Sequence, residues 1–199
     1  MKSDVRKKDS LRVAAWSGGR TTELFIYPGD ADLAKRNFEL RVSSATVEAE
    51  ESTFSSFAGY VRHITPLTGE MRLVHELREQ RREVTLTPLR VDAFEGHWTT
   101  RSFGRCVDFN LIHRPNWKGE IYAAPEGTYP CAVDGFTCVY ARCGDTRVQV
   151  TGEETESVLF EAKLDLGDLL VVETGPELVR LRVSRCPEPA AVAAASRIP

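Results

Sequence analysis

Short runs of β-branched and aromatic residues recur along this chain, and Gly, Pro, Asp or Ser separates most of them. No segment keeps a convincing 3.6-residue apolar period. The runs include "LRVAAW" (11–16), "ELFIYP" (23–28), "FELRVSSATV" (38–47), "YVRHITPL" (60–67), "MRLVHEL" (71–77), "REVTLTPL" (82–89) and "GRCVDFNLIHR" (104–114). They continue with "FTCVYAR" (136–142), "TRVQV" (146–150), "SVLFEA" (157–162), "DLLVVE" (168–173) and "LVRLRVS" (178–184). Many short strands at close spacing predict an all-β sandwich or barrel with few short helices. "TGE" (68–70) reads as a hairpin turn, and "GDADLAKRN" (29–37) has room for one helical turn.

With 199 residues the chain can form one large domain or two small ones. The Pro/Gly-rich "AAPEGTYP" (123–130) reads as a connection between an N-terminal module, 11–122, and a C-terminal module, 123–186. The Pro/Ala-rich end, 187–199, reads as a loosely docked tail or a short helix. The basic run Lys2, Arg6, Lys7 and Lys8 reads as a frayed, solvated end. A formal net charge of -3 and the lack of any other dense basic run argue against nucleic acid as partner. No stretch reaches the ~18 apolar residues of a membrane helix, and no apolar leader core stands near the start. A cytoplasmic protein without membrane contact is expected.

The five cysteines are odd in number and lack C-x-x-C spacing, so free thiols are expected, with a thiolate zinc site as the alternative. His63, His75, His97 and His113 form no H-x-H or H-x-x-x-H pair. A metal site would need several of them to converge from separate strands. Otherwise they are surface or rim residues, and no metal or cofactor is expected. No G-x-S-x-G or cysteine signature marks a catalytic nucleophile.

Polar residues on strands otherwise patterned for burial carry the functional reading. In "FELRVSSATV", Arg41 and Ser43 share a face with Ala45 and Val47. Either Arg41 snorkels at a sheet edge, or it is buried against Glu23, Asp108 or a ligand carboxylate. Asp108 and Asn110 likewise share a face with Cys106 and Ile112, at a strand end or inside a barrel mouth. Gly18 and Gly19 form a turn, with an anion nest of backbone N–H groups as the sharper reading.

Four ordered elements resemble the HutD/Ves family. They are W-x-G-G-x-T-x-E from Trp16, R-x-S-x-A-x-V from Arg41, F-S-x-F-x-G-x-x-R from Phe54, and D-F-N-x-x-x-R from Asp108. The resemblance runs from about Val13 to Arg114. It implies a double β-barrel of cupin type (a bicupin with jelly-roll modules), without the usual H-x-H cupin metal motif. It also implies a binding or regulatory role towards a small anionic, formylglutamate-like metabolite, in histidine utilisation or in stress response. Arg41 would clamp the carboxylate, with Arg62 or Arg114 as second cation. Glu23 joins the candidate set, Ser43, Thr21, Asp108 and Asn110 would supply hydrogen bonds, Gly18 and Gly19 the turn, and Trp16 and Phe57 apolar walls. Arg20 stands where the family pattern has a small residue, and an inward Arg20 would favour an anion. Two alternatives stay open. One is a metal-independent enzyme with Asp108 or His63 as general base; the other is an interaction module or homodimer.

Overall fold

The computed structural model describes residues 1–198, and Pro199 lies outside the described residues. Its strands fall into two compact units: Arg12–Pro115, and Met1–Leu11 together with the chain from Asn116 onward. The first strand, β1 (Lys2–Arg6), therefore belongs with the second half of the chain.

The unit from Arg12 contains β2 (Arg12–Trp16), β3 (Gly19–Tyr27), β4 (Leu40–Val47), β5 (Glu51–Thr53) and β6 (Val61–Gly69). It continues with β7 (Met71–Leu77), β8 (Gln80–Leu86), β9 (Asp92–Glu95), β10 (Thr99–Phe103) and β11 (Cys106–His113). Six strands form one sheet in the order β2-β3-β4-β11-β6-β9, and four form another in the order β5-β10-β7-β8. Val47, Ile64, Phe94 and Cys106 from the larger sheet pack with Met71, Leu73 and Leu86 from the smaller. The alternation read from the sequence is thus the inward face of a two-sheet module.

Residues 68–70 do not close a hairpin. β6 and β7 belong to different sheets, so the chain turns a corner there. Gly69 has φ +76°, and a Cβ at this position would stand 2.5 Å from the Arg105 carbonyl oxygen, so only glycine fits. The hairpin is instead β7–β8, with Leu77 opposite Gln80. Residues 29–37 form turns and no helix.

A buried polar network joins the two sheets. His75 on β7 is fully buried, with Nδ1 2.9 Å from Thr100 Oγ1 on β10. Its Nε2 lies 2.9 Å from Asp92 Oδ2 on β9, outside the angular range of a good hydrogen bond. Arg82 on β8 donates to both Asp92 oxygens, at 2.6 and 2.9 Å.

The other unit contains β1, a 3-10 turn (Lys8–Ser10), β12 (Trp117–Ala124), β13 (Gly127–Pro130), β14 (Gly135–Tyr140) and β15 (Thr146–Gly152). It ends with β16 (Val158–Leu164), β17 (Leu169–Thr174), β18 (Val179–Ser184) and β19 (Ala190–Arg197). Its sheets run β1-β17-β14-β19-β12 and β13-β18-β15-β16. Val139, Leu170, Val172 and Val192 from the first pack with Val148, Val150, Leu181 and Val183 from the second.

Three expectations change here. The stretch 123–130 is no linker, because it ends β12 and contains β13; the turn between the units lies near Asn116. The expected loose tail is β19, paired with both β12 and β14. Residues Ala190 to Ala195 are all buried there, where small side chains suit a central strand hemmed in on both sides. The basic N-terminus is β1, paired along its length with β17. Asp168 anchors its end, accepting from Lys7 Nζ at 2.6 Å, the Lys8 N–H at 3.1 Å and the Asp165 N–H at 3.0 Å. Asp168→Ala should leave those donors unmet and loosen β1. The expected result is about tenfold faster hydrogen exchange of β1 amides, with the remaining strands of that unit little changed.

Among the described residues, no helix is long and apolar enough to cross a membrane.

Candidate functional site

Two irregularities shape the inward face of the six-stranded sheet. Between β3 and β4, Glu23 pairs with Ser43 and Phe25 with Val42, leaving Leu24 as an extra residue. Between β6 and β11, Thr68 pairs with Val107 and Pro66 with Asp108, leaving Leu67 as another. Such bulges re-aim side chains. Pro66, which has no N–H to donate, sits beside the second.

A cavity of about 540 Å³ opens over this face. Arg41, Ser43, Ala45 and Val47 of β4 line it, as do Thr21 and Glu23 of β3, Arg62 of β6, and Asp108, Asn110 and Ile112 of β11. Trp16 and Phe57 form walls. The shared face of "RVSSATV" is therefore a cavity wall, polar at the Arg41 end and apolar at the Val47 end.

Arg41 has a partner within the fold. Its Nε donates to Glu23 Oε2 at 2.9 Å, and its Nη1 donates to Ser43 Oγ at 2.9 Å. Glu23 thus neutralises the residue expected to clamp a ligand. Arg62 is placed differently. It is only 7% exposed, and among the described residues its side chain makes one hydrogen bond, a long one, 3.3 Å from Nη2 to Asn110 Oδ1. Its Nε is buried without a hydrogen-bond partner among the described residues. The guanidinium carbon lies 4.6, 5.5 and 5.3 Å from the ring centroids of Phe54, Phe57 and Phe94. Aromatic faces attract a cation but satisfy none of its N–H groups. Burial lowers the Arg62 pKa to about 10, against the opposing pull of Asp108.

Asp108 is 3% exposed. Its Oδ1 accepts the Ala45 N–H at 3.1 Å and Asn110 Nδ2 at 2.6 Å. Burial raises its pKa to about 7, although those bonds and the charges of Arg62 and Arg41 pull the other way. Near neutrality Asp108 is therefore partly protonated, and Arg62 lacks a full-strength counter-ion.

Four expected residues lie elsewhere or play another part. Gly18 and Gly19 line a separate outer depression with Arg20, Glu48 and Ala49. Gly19 is required by packing, because a Cβ there would stand 1.9 Å from the Thr46 carbonyl oxygen. The Gly18 carbonyl accepts from the Glu48 and Ala49 N–H groups, so the turn is tied down through its acceptor. Arg20 faces outward and pairs with Glu48 at 3.6 Å. Arg114 lies over the Tyr60 ring at 4.1 Å and donates to the Arg36 carbonyl, outside the cavity. Its side chain braces the segment around Tyr60 and is no second ligand cation.

His63 is not among the cavity residues. Its Nε2 sits 3.1 Å from His113 Nε2, and burial followed by the neighbouring His113 lowers its pKa to about 4. Its position removes it as a general base for this cavity. Among the described residues, no three or more His, Cys, Asp or Glu side chains gather closely enough to hold a metal ion. Sequence reasoning missed Arg12, Asp32 and the stretch Ser52–Ser55 on the rim and wall. Phe54 had a signal, since it opens the same F-S-x-F-x-G-x-x-R element that ends at Arg62.

Two double-sheet β modules on one chain, the first with a cavity lined by both polar and apolar side chains, define a bicupin-type protein. A Lactobacillus farciminis oxalate decarboxylase matches at TM-score 0.65 with 9% identity, over 98% of this chain and 86% of that one; this likeness speaks for the fold alone. The HutD family model matches residues 8–186, and the chain belongs to the HutD family. A 21.2 kDa protein from the hutC 3' region of Pseudomonas putida is 31% identical over 184 residues, 90% of each chain. The solved HutD of Pseudomonas fluorescens SBW25 is 25% identical with TM-score 0.75, covering 100% of both chains.

Proposed function

We propose that this chain binds a small carboxylate metabolite in the cavity of its Arg12–Pro115 unit, with Arg62 as the anchor. The observation that carries this is the buried Arg62 guanidinium, whose Nε has no partner and whose one hydrogen bond is long. A buried cation left in that state costs several kcal/mol, on the order of what an incoming carboxylate would return. Asn110, Ser43 and Thr21 would orient the rest of the ligand, and Phe54, Phe57 and Trp16 would exclude water around it. A formylglutamate-type product of histidine breakdown is the ligand class in this reading, with a part in regulating histidine utilisation; the position of a relative in a hutC 3' region agrees with a link to that process.

Thermal-shift titration with N-formylglutamate, glutamate, urocanate and imidazole tests this. Acidic compounds should raise Tm in a concentration-dependent way, and imidazole should not. If no acidic compound stabilises the protein, the reading fails.

Affinity should also depend on pH. The charged groups that face the cavity beside Asp108 are Glu23 on β3, Arg41 on β4, Arg62 on β6 and the rim residues Arg12 and Asp32. Asp108, with its pKa at about 7, changes charge near neutrality. An arriving carboxylate disfavours ionised Asp108, so binding takes up a proton on the alkaline side. Calorimetry should show tighter binding near pH 6 than near pH 8, by roughly three- to tenfold, and Asp108→Asn should flatten the profile.

The same carboxyl, titrating near neutrality inside a cavity, supports general-base catalysis as a second reading. Loss of a candidate metabolite from solution, followed by proton NMR and absent in Asp108→Asn, would favour that reading over binding alone.

A further inference from the structure

Cys143 and Cys186 are distant in sequence, yet their sulfur atoms stand 3.9 Å apart. Cys143 lies in the loop between β14 and β15, and Cys186 lies between β18 and β19. The two loops are also joined by Arg142 to Glu188 at 3.5 Å and by Arg185 to Asp145 at 3.8 Å. The two thiols are not equivalent. Cys186 is buried, its S–H donates to the Glu188 carbonyl, and its N–H donates to Glu126 Oε1 at 3.1 Å. Cys143 is half-buried, and the Thr146 hydroxyl lies 3.4 Å from its sulfur.

We propose that Cys143 and Cys186 form a peroxide-responsive thiol pair whose oxidation fastens the β14–β15 loop to the segment entering β19. The half-buried Cys143 is the attacking group. Its thiolate displaces hydroxide from hydrogen peroxide, cleaving the O–O bond and leaving a sulfenic acid. The Cys186 sulfur then attacks the Cys143 sulfur, the S–O bond breaks, and the Cys186 proton leaves with the departing hydroxide as water. Both sulfurs end oxidised in one S–S bond, and peroxide oxygen is reduced to water. A small-molecule thiol returns the pair by exchange.

The sulfurs must close from 3.9 Å to about 2.05 Å for the bond to form. The protonation pattern fits these roles. Partial burial pushes the Cys143 thiol up, but hydrogen bonds with the Thr146 hydroxyl and the Glu188 backbone bring it below its ordinary range, while burial raises Cys186. Burial pushes Cys106, Cys131 and Cys138 up to about 12, 11 and 12, which keeps them unreactive.

The test treats the folded full chain with hydrogen peroxide, alkylates free thiols after unfolding, and maps peptides without reduction. A single intramolecular link between Cys143 and Cys186 is expected, with the other three cysteines alkylated. Tm should rise by about 5 °C and fall back on adding a thiol reductant. Cys186→Ser should hold Cys143 as a sulfenic acid that dimedone traps, and Cys143→Ser should abolish the reaction. Recovery of both as free thiols, a link to any other cysteine, or a link between two chains would overturn the proposal.

Discussion

Arg62→Met is expected to abolish carboxylate binding while leaving the unliganded protein as stable as the original or more so. Arg62 is buried among Phe54, Phe57 and Phe94 and makes one long hydrogen bond. Methionine matches the apolar part of that environment and removes a desolvated charge. Replacing a poorly paired buried charge by an apolar side chain of similar volume is often neutral or stabilising by about 1–4 kcal/mol. Losing the anchor of a buried carboxylate should weaken binding by about 2–5 kcal/mol, a factor of roughly 30 to several thousand. A purely structural Arg62 predicts the opposite pattern, with lower stability in Arg62→Met and unchanged ligand response. Chemical denaturation and calorimetry on the same samples separate the two.

Arg41→Met should behave differently. Arg41 holds Glu23 and Ser43, so its removal leaves the Glu23 carboxylate without its cation. Destabilisation is expected there, with binding lost only in proportion to the disturbed wall.

Asp92→Ala is the second large expected effect. Asp92 faces the fully buried His75 and takes both Arg82 bonds, linking β9 of one sheet to β7 and β8 of the other. Its removal strands a buried imidazole, and a loss of about 3–5 kcal/mol in urea unfolding is expected. The Arg82 share is the smaller part, because Arg82 is itself 43% exposed and screened by solvent. Burial alone would raise the Asp92 pKa, but the close His75 ring and the two Arg82 bonds hold it below the usual carboxylate range. The native state therefore binds fewer protons than the unfolded chain in the acid range. The stability from Asp92 is complete above the ordinary carboxylate pKa of about 4 and is lost as pH falls through the lower native value. Wild-type stability should fall with acidification there, and the Asp92→Ala profile should be shallower.

These effects show how far the sequence alone could be read. The two-residue alternation of Arg41, Ser43, Ala45 and Val47 marked a single face, and all four residues line the cavity. The same rule brought Asp108 and Asn110 there. It could not say which arginine keeps a free charge, because that depends on Glu23 lying opposite Ser43 across β3 and β4. Nor could it place the Leu24 and Leu67 bulges, which shift the inward parity without any Gly to announce them.

Longer-range pairing was hidden for a similar reason. β19 is mostly alanine, a weak strand former, and it is a strand because β12 and β14 flank it. β1 carries charges at alternate positions and looks solvated, yet β17 and the distant Asp168 hold it. In both cases local propensity loses to partners more than fifty residues away along the chain.

A crystal structure of the protein soaked with N-formylglutamate tests Arg62 as an anion site directly. The expected result is a ligand carboxylate within hydrogen-bond distance of Arg62 Nε, with the Arg41–Glu23 pair intact. A ligand carboxylate held by Arg41 after Glu23 has been displaced, or by the outer depression at Gly18, Gly19 and Arg20 with Arg62 Nε still unpaired, would contradict it.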